Sequence, residues 1–126
     1  MDEHQHLQEK NDLLIQSIVD IMSETYRFKR VFAKAVSKLE VEDQNKYASQ
    51  FAWFTKRVDK AAENAGLSLV DLSGQEYDPG MAVTAMNIDD FEPEDELFIE
   101  QMMEPIIMRD GKVQKTGTVL LGRFEQ

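Results

Sequence analysis

Cysteine is absent from the 126 residues. That excludes disulfides, thiolate zinc sites and cysteine nucleophiles together. Histidine is nearly absent. The two present, His4 and His6, both fall in the first six residues. A catalytic base or metal ligand further along must be a carboxylate, a lysine or a tyrosine. On a polar terminal stretch the two histidines hold a metal weakly, because ligands must be pre-positioned, so no metal is expected there. No long apolar run occurs either. The richest stretch, Leu13 to Met22, is broken by Gln16, Ser17 and Asp20. It is far short of the roughly 20 residues a spanning helix needs. Met1-Asp2-Glu3-His4 lacks a basic region followed by an apolar run. A soluble, cytoplasmic protein is the expectation, without membrane association.

Basic charge is scarce in one half only. Residues 1–70 carry 10 basic and 11 acidic side chains, and residues 71–126 carry 4 and 13. The overall net charge is −10. Such a chain has no long-range attraction for nucleic acid or anionic lipid and suits a basic partner surface.

Three prolines and six glycines occur, and none interrupts residues 7–39. There Leu14, Ile18, Ile21, Thr25, Phe28, Phe32, Ala35 and Leu39 follow one another at alternating spacings of 4 and 3. That is a heptad seam, and it predicts one helix about 50 Å long. Residues 1–6 read as a flexible tail. Leu13, Val19, Met22, Val31 and Val36 widen the apolar face beyond a two-stranded seam, toward a bundle. After a short polar break, Asp43 is the expected N-cap of a second helix. Its seam is Tyr47, Phe51, Phe54, Val58, Ala61 and Ala65. Asn64-Ala65-Gly66 reads as a glycine stop. The short break makes the helices antiparallel neighbours.

The period then changes. Leu67 to Leu72 alternates as a strand does. Ser73-Gly74 and Asp78-Pro79-Gly80 are turn chemistry, and Met81 to Met86 suits a short strand. Residues 89–96 hold six acids in eight positions around Pro93, an exposed loop. Leu97 to Met108, with Pro105 inside it, reads as one edge or bulged strand. Asp110-Gly111 is a hairpin signal, and Val113 to Leu121 is the return strand. The expected fold class is α+β: a helical region over 7–66, then a small all-β domain over 67–126.

Little here could carry chemistry, and no enzyme or cofactor is expected. Phosphate-loop glycines are missing. Ser17, Ser23 and Ser37 have no histidine near them to activate them. The run 89–96 lacks the alternating Asp/Asn, central Gly and terminal Glu of a calcium loop. A small hydrolase or metal enzyme built on Asp78, Glu100 or that loop has nothing converging on it. The Met81, Met86, Met102, Met103 and Met108 group reads as core filler or an adaptable binding face.

The order of parts carries a resemblance. A helix pair and a glycine stop precede Leu67-Ser68-Leu69-Val70. Next come Gly74-Gln75-Glu76-Tyr77-Asp78-Pro79, an acidic gap and a terminal hairpin. This resembles the GrpE family, nucleotide exchange factors of DnaK-type chaperones. Gly74 to Pro79 is similar to that family's Gly-Glu-Pro-Phe-Asp-Pro, and Ile106 to Val119 corresponds to its final strands. Ala82-Val83-Thr84 replaces the family's His-Glu-Ala, and Lys115-Thr116-Gly117 replaces Arg-Pro-Ala. With only about ten residues before Leu13, the family's long N-terminal paired helix is not expected here.

The resemblance implies a homodimer in which two helix pairs form a four-helix bundle. Leu14, Ile18, Ile21, Phe28, Phe32, Phe51, Phe54 and Val58 would supply its interface or the chain's own core. It further implies a β-domain wing that docks on the chaperone's nucleotide-binding domain through Lys112, Met81, Ala82, Arg109 and Lys115. Asp78, Pro79 and Gly111 are then turn formers. Two alternatives use the same chain differently. One is an adaptor of this fold without exchange activity, its acidic loop a handle for a basic protein or a specialised chaperone. The other is a DNA mimic.

Overall fold

Asp2 opens the first helix with a capping box: the Gln5 N–H donates to its carboxylate at 2.8 Å, and its own N–H donates to the Gln5 side chain at 3.3 Å. In the computed structural model, which describes residues 2–124, α1 therefore runs from Glu3 to Val36. Residues 3–6, expected as a tail, form its first turn, because the cap satisfies donors a fraying end would leave open. Met1 lies outside the described residues. At 34 residues α1 is about 51 Å long. It stops three residues before Leu39. The Ser37 hydroxyl donates to the Lys34 carbonyl at 2.6 Å, and the Gln44 amide reaches back to the carbonyls of Ser37 and Leu39.

Helix α2 runs from Val41 to Glu63. Its N-cap is Glu40, in extended backbone and without a side-chain cap, so the cap expected at Asp43 lies inside the first turn instead. There the carboxylate still meets the positive end of the helix. Gly66 ends the helical region at φ 76°. The two helices are antiparallel neighbours. Phe51 of α2 meets both Phe28 and Phe32 of α1, while Gln44 meets Ser37.

The chain divides into two compact units, at Leu67 and Ser68. In the first, the buried apolar residues are Ile15, Val19, Met22, Ala62 and Leu67. This stripe is offset by one position from the predicted seam. Seam residues Leu14, Ile21 and Phe28 are each more than half exposed, and Phe54 is nearly so. They are not core within the chain. Ile18, Phe32, Phe51 and Val58 are half-buried.

The second unit holds two three-stranded sheets. Strand β1 (Leu67–Val70) lies beside β4 (Ile106–Arg109), which pairs with β5 (Lys112–Lys115). In the other sheet β6 (Gly117–Arg123) is central, parallel to β2 (Val83–Ala85) and antiparallel to β3 (Leu97–Glu104). Both long strands expected from the sequence are thus split. Pro105 ends β3 and Thr116 ends β5, and after each the chain enters the other sheet. Pro105 lacks the N–H that a continuous ladder would use. Register shifts in β3 move its inward positions from Leu97 and Ile99 to Met102. The core is Leu97, Ile99, Met102, Ile106, Ile107, Val119 and Leu121. Met102 is core, while Met86 is 64% exposed and Met81, Met103 and Met108 are half-buried.

Gly117 and Gly122 let side chains from β3 cross the central strand closely. A Cβ on Gly117 would lie 2.8 Å from the Met102 methyl, and one on Gly122 would lie 2.7 Å from the Phe98 ring. Segment 74–77 closes the outer edge of β3. The Gly74 N–H donates to the Ile99 carbonyl, the Ile99 N–H to Gln75, and the Tyr77 N–H to Leu97. No helix is long and apolar enough to cross a membrane among the described residues.

Candidate partner-binding surface

The hairpin β4–β5 turns on Asp110 at φ 50° and Gly111 at φ 83°. Two consecutive left-handed residues match the twist of the flanking strands, which is why Asp-Gly stands there. Arg109 and Lys112 are cross-strand partners immediately flanking this turn. Two of the four cations of residues 71–126 therefore meet at the tip of a unit that is acidic overall. Lys112, Val113 and Gln114 are exposed, and Val113, expected only as the start of the return strand, keeps 49% of its surface in solvent. Strand β5 is an edge of its sheet, so its outer backbone groups can pair with another chain.

Lys115 differs from Lys112. Its ammonium lies 3.0 Å from the Glu104 carboxylate, which also accepts from the Thr118 hydroxyl at 3.2 Å. This ion pair ties the end of β5 to β3. Lys112 makes no ion pair among the described residues. Met81 and Ala82 are half-buried. The Ala82 carbonyl accepts from the Gly117 N–H at 3.0 Å, two residues past Lys115. The structure thus brings Ala82 beside the base of the hairpin, while Lys112 lies about 10 Å further along β5.

Asp78 shapes the turn before Met81. Its carboxylate accepts from the Gly80 N–H at 3.0 Å and its carbonyl from the Met81 N–H at 2.9 Å. An Asx turn of this kind fixes the loop locally. The serines expected to be chemically idle bond to helix carbonyls: Ser17 to Leu13, Ser23 to Val19 and Ser37 to Lys34. Among the described residues no group of three His, Asp or Glu side chains could hold a metal ion.

The helical unit carries a second surface. Phe28, Phe32, Phe51 and Phe54 form a chain of rings across the helix pair, with neighbouring centroids 4.8 to 6.2 Å apart. Phe28 and Phe54, at its ends, lie in solvent with Leu14 and Ile21. Trp53 stands apart, 63% exposed, with the Arg57 guanidinium 4.9 Å from its ring centre. An apolar stripe of this length on a two-helix unit is unusual for a surface that meets only water.

No family model matches the chain, and neither a curated protein nor a solved structure matches it.

Proposed function

We propose that this chain is a GrpE-like cochaperone. It binds the nucleotide-binding domain of a DnaK-type chaperone and promotes ADP release by stabilising the open cleft. The observation that carries this reading is the order of parts. An antiparallel helix pair ends at Gly66, a small β unit follows, the Asp78-Pro79 turn precedes its second strand, and a cationic hairpin is exposed at Lys112. Two copies join through the solvent-exposed seam into a four-helix bundle. The β unit of each is a wing whose β4–β5 hairpin docks on the chaperone.

Such a protein needs no reacting group. A partner that binds the open state more tightly weakens ADP binding by the same factor, since the coupling is reciprocal. A coupling of about 3 kcal/mol corresponds to roughly a hundredfold. Lys in place of the family's Arg after the hairpin glycine keeps the charge and loses the bidentate fork.

A second reading is an adaptor of the same build without exchange activity. The commitment of Lys115 to Glu104 favours it, since one cation of the matching motif is already engaged within the fold. The release rate of a fluorescent ADP analogue from each DnaK-type chaperone of the host separates the two. Acceleration that saturates with added protein is expected. No acceleration from any of them, with binding retained, selects the adaptor.

A further inference from the structure

On the β unit a groove of about 390 Å³ opens between the segment at Glu76 to Pro79 and the loop 88–97. Its floor is apolar, made by buried Leu97 and half-buried Tyr77 and Phe91, with exposed Pro79, Ile88 and Pro93 beside them, and the acids Glu76, Glu92, Asp95 and Glu96 also line it. These residues come from two stretches about ten positions apart in sequence. The backbone bond from Tyr77 to Leu97 and the bridge between Glu76 and Phe98 bring them together.

The groove is held open by its own bonds. The Asp95 carboxylate accepts from the Glu92 N–H at 2.9 Å, and Arg123 approaches its other oxygen at 3.9 Å. Ile88 opens a single 3-10 turn, fixed from behind by the Asn87 amide on Leu121. Asp95 is thus a loop-forming acid. Glu76, Glu92 and Glu96 are exposed and make no ion pair among the described residues. Ile88 leaves 42% of its surface in water at the same place.

We propose that this groove binds a basic segment of a partner protein, one in which an apolar or aromatic residue is flanked by lysines or arginines. The floor takes the apolar residue and the three unpaired glutamates take the cations. The choice of partner follows from charge. Residues 71–126 carry 4 basic and 13 acidic side chains, so the field of the whole unit steers cations toward the groove and repels nucleic acid and anionic lipid. The carboxylates are spread around an apolar floor and form no group that could hold a metal ion, so a divalent cation does not suit the site. This contact is separate from the hairpin, and it is tested on this protein alone, without chaperone or nucleotide.

The probe is a fluorescein-labelled peptide, Lys-Lys-Phe-Lys-Leu-Lys-Lys, titrated into the full chain while backbone amide shifts are followed. Expected are saturable binding and shifts concentrated at Tyr77, Ile88, Phe91 and Leu97. Affinity should fall about tenfold between about 0.05 M and about 0.3 M salt, and comparably in the double variant Glu92→Gln, Glu96→Gln. A peptide with Gly in place of Phe and Leu should bind about tenfold more weakly still. Equal affinity of that peptide would reduce the contact to loose charge attraction and overturn the proposal. So would shifts centred elsewhere, or binding indifferent to the two Gln substitutions. Self-association that the peptide competes away and that Trp53→Ser abolishes would seat a second copy in the groove and overturn it too.

Discussion

Phe32 and Phe51 stack across the helix pair, their ring centres 4.8 Å apart and their planes 20° from parallel. The stack locks α1 to α2 within one chain. Phe28 and Phe54 extend it outward to a surface that the chain itself does not cover. Two such surfaces facing each other would bury what one leaves exposed. Phe54→Asp and Ile21→Asp are expected to abolish the proposed dimer with helix content retained. Sedimentation equilibrium beside circular dichroism checks this, and an unchanged mass for both variants would remove the seam from the interface.

Asn87 acts as a missing strand residue. Its amide donates to the Leu121 carbonyl at 3.0 Å and accepts from the Leu121 N–H at 2.9 Å. Leu121 is 2% exposed, so removing the amide leaves buried backbone groups without partners. Asn87→Ala should cost about 1–3 kcal/mol in urea unfolding. A loss below about 0.5 kcal/mol would mean that water replaces both bonds.

The two hairpin lysines should separate by assay. Lys112→Glu is expected to cut the acceleration of ADP release at least about tenfold with the melting temperature unchanged. Lys115→Ala should instead lower stability by up to about 1 kcal/mol, through the loss of its bond to Glu104. Lys112→Arg restores the planar fork and should accelerate release as well or better. If Lys112→Glu accelerates ADP release from the chaperone as much as the parent does, the hairpin tip is not the docking point.

Asp59 on α2 responds to acid in an unusual direction. Partial desolvation raises the carboxyl of this largely exposed side chain above the ordinary carboxylate range, Glu63 adds to the rise and Lys29 opposes it. The folded chain therefore holds this proton at a pH where the unfolded chain has released it. The group's contribution to stability falls as pH rises from the unfolded value through the folded one, and it stays low above. Asp59→Asn should thus raise the melting temperature slightly near neutral pH, solvent screening keeping the gain small. The gain should vanish in acid below the ordinary carboxylate range. A gain of equal size there would assign the effect to something other than the charge.

The period of the first half was legible in the sequence, and its partner was not. Spacings of 4 and 3 mark a broad apolar face from Leu13 to Val36, but they do not say which stripe of that face the chain buries. Ile15, Val19 and Met22 are covered, while Leu14 and Ile21, one position away, are not. The turn at Asp110-Gly111 was legible because few residues tolerate two left-handed conformations in succession. The division into two sheets was not, since Pro105 within an apolar run signals an interruption without naming the strand beyond it. The groove was hidden for another reason. Residues 89–96 look like a solvated charge run, and only the pairing of Tyr77 with Leu97 reveals the apolar floor beneath.

Pro105 and Thr116 have a kinetic consequence. Because the chain changes sheet at each, the two sheets are interleaved along the sequence: β1, β4 and β5 belong to one, β2, β3 and β6 to the other. The first is complete with β5, but the second stays open until β6 has been inserted between β2 and β3. Between Val83 and Gly117 the parallel pairing closes a loop of more than thirty residues, and non-local closure of this kind slows folding into the range of about milliseconds to seconds. On the ribosome, the helix pair can form as soon as it emerges, while the sheet of β2 and β3 waits for β6.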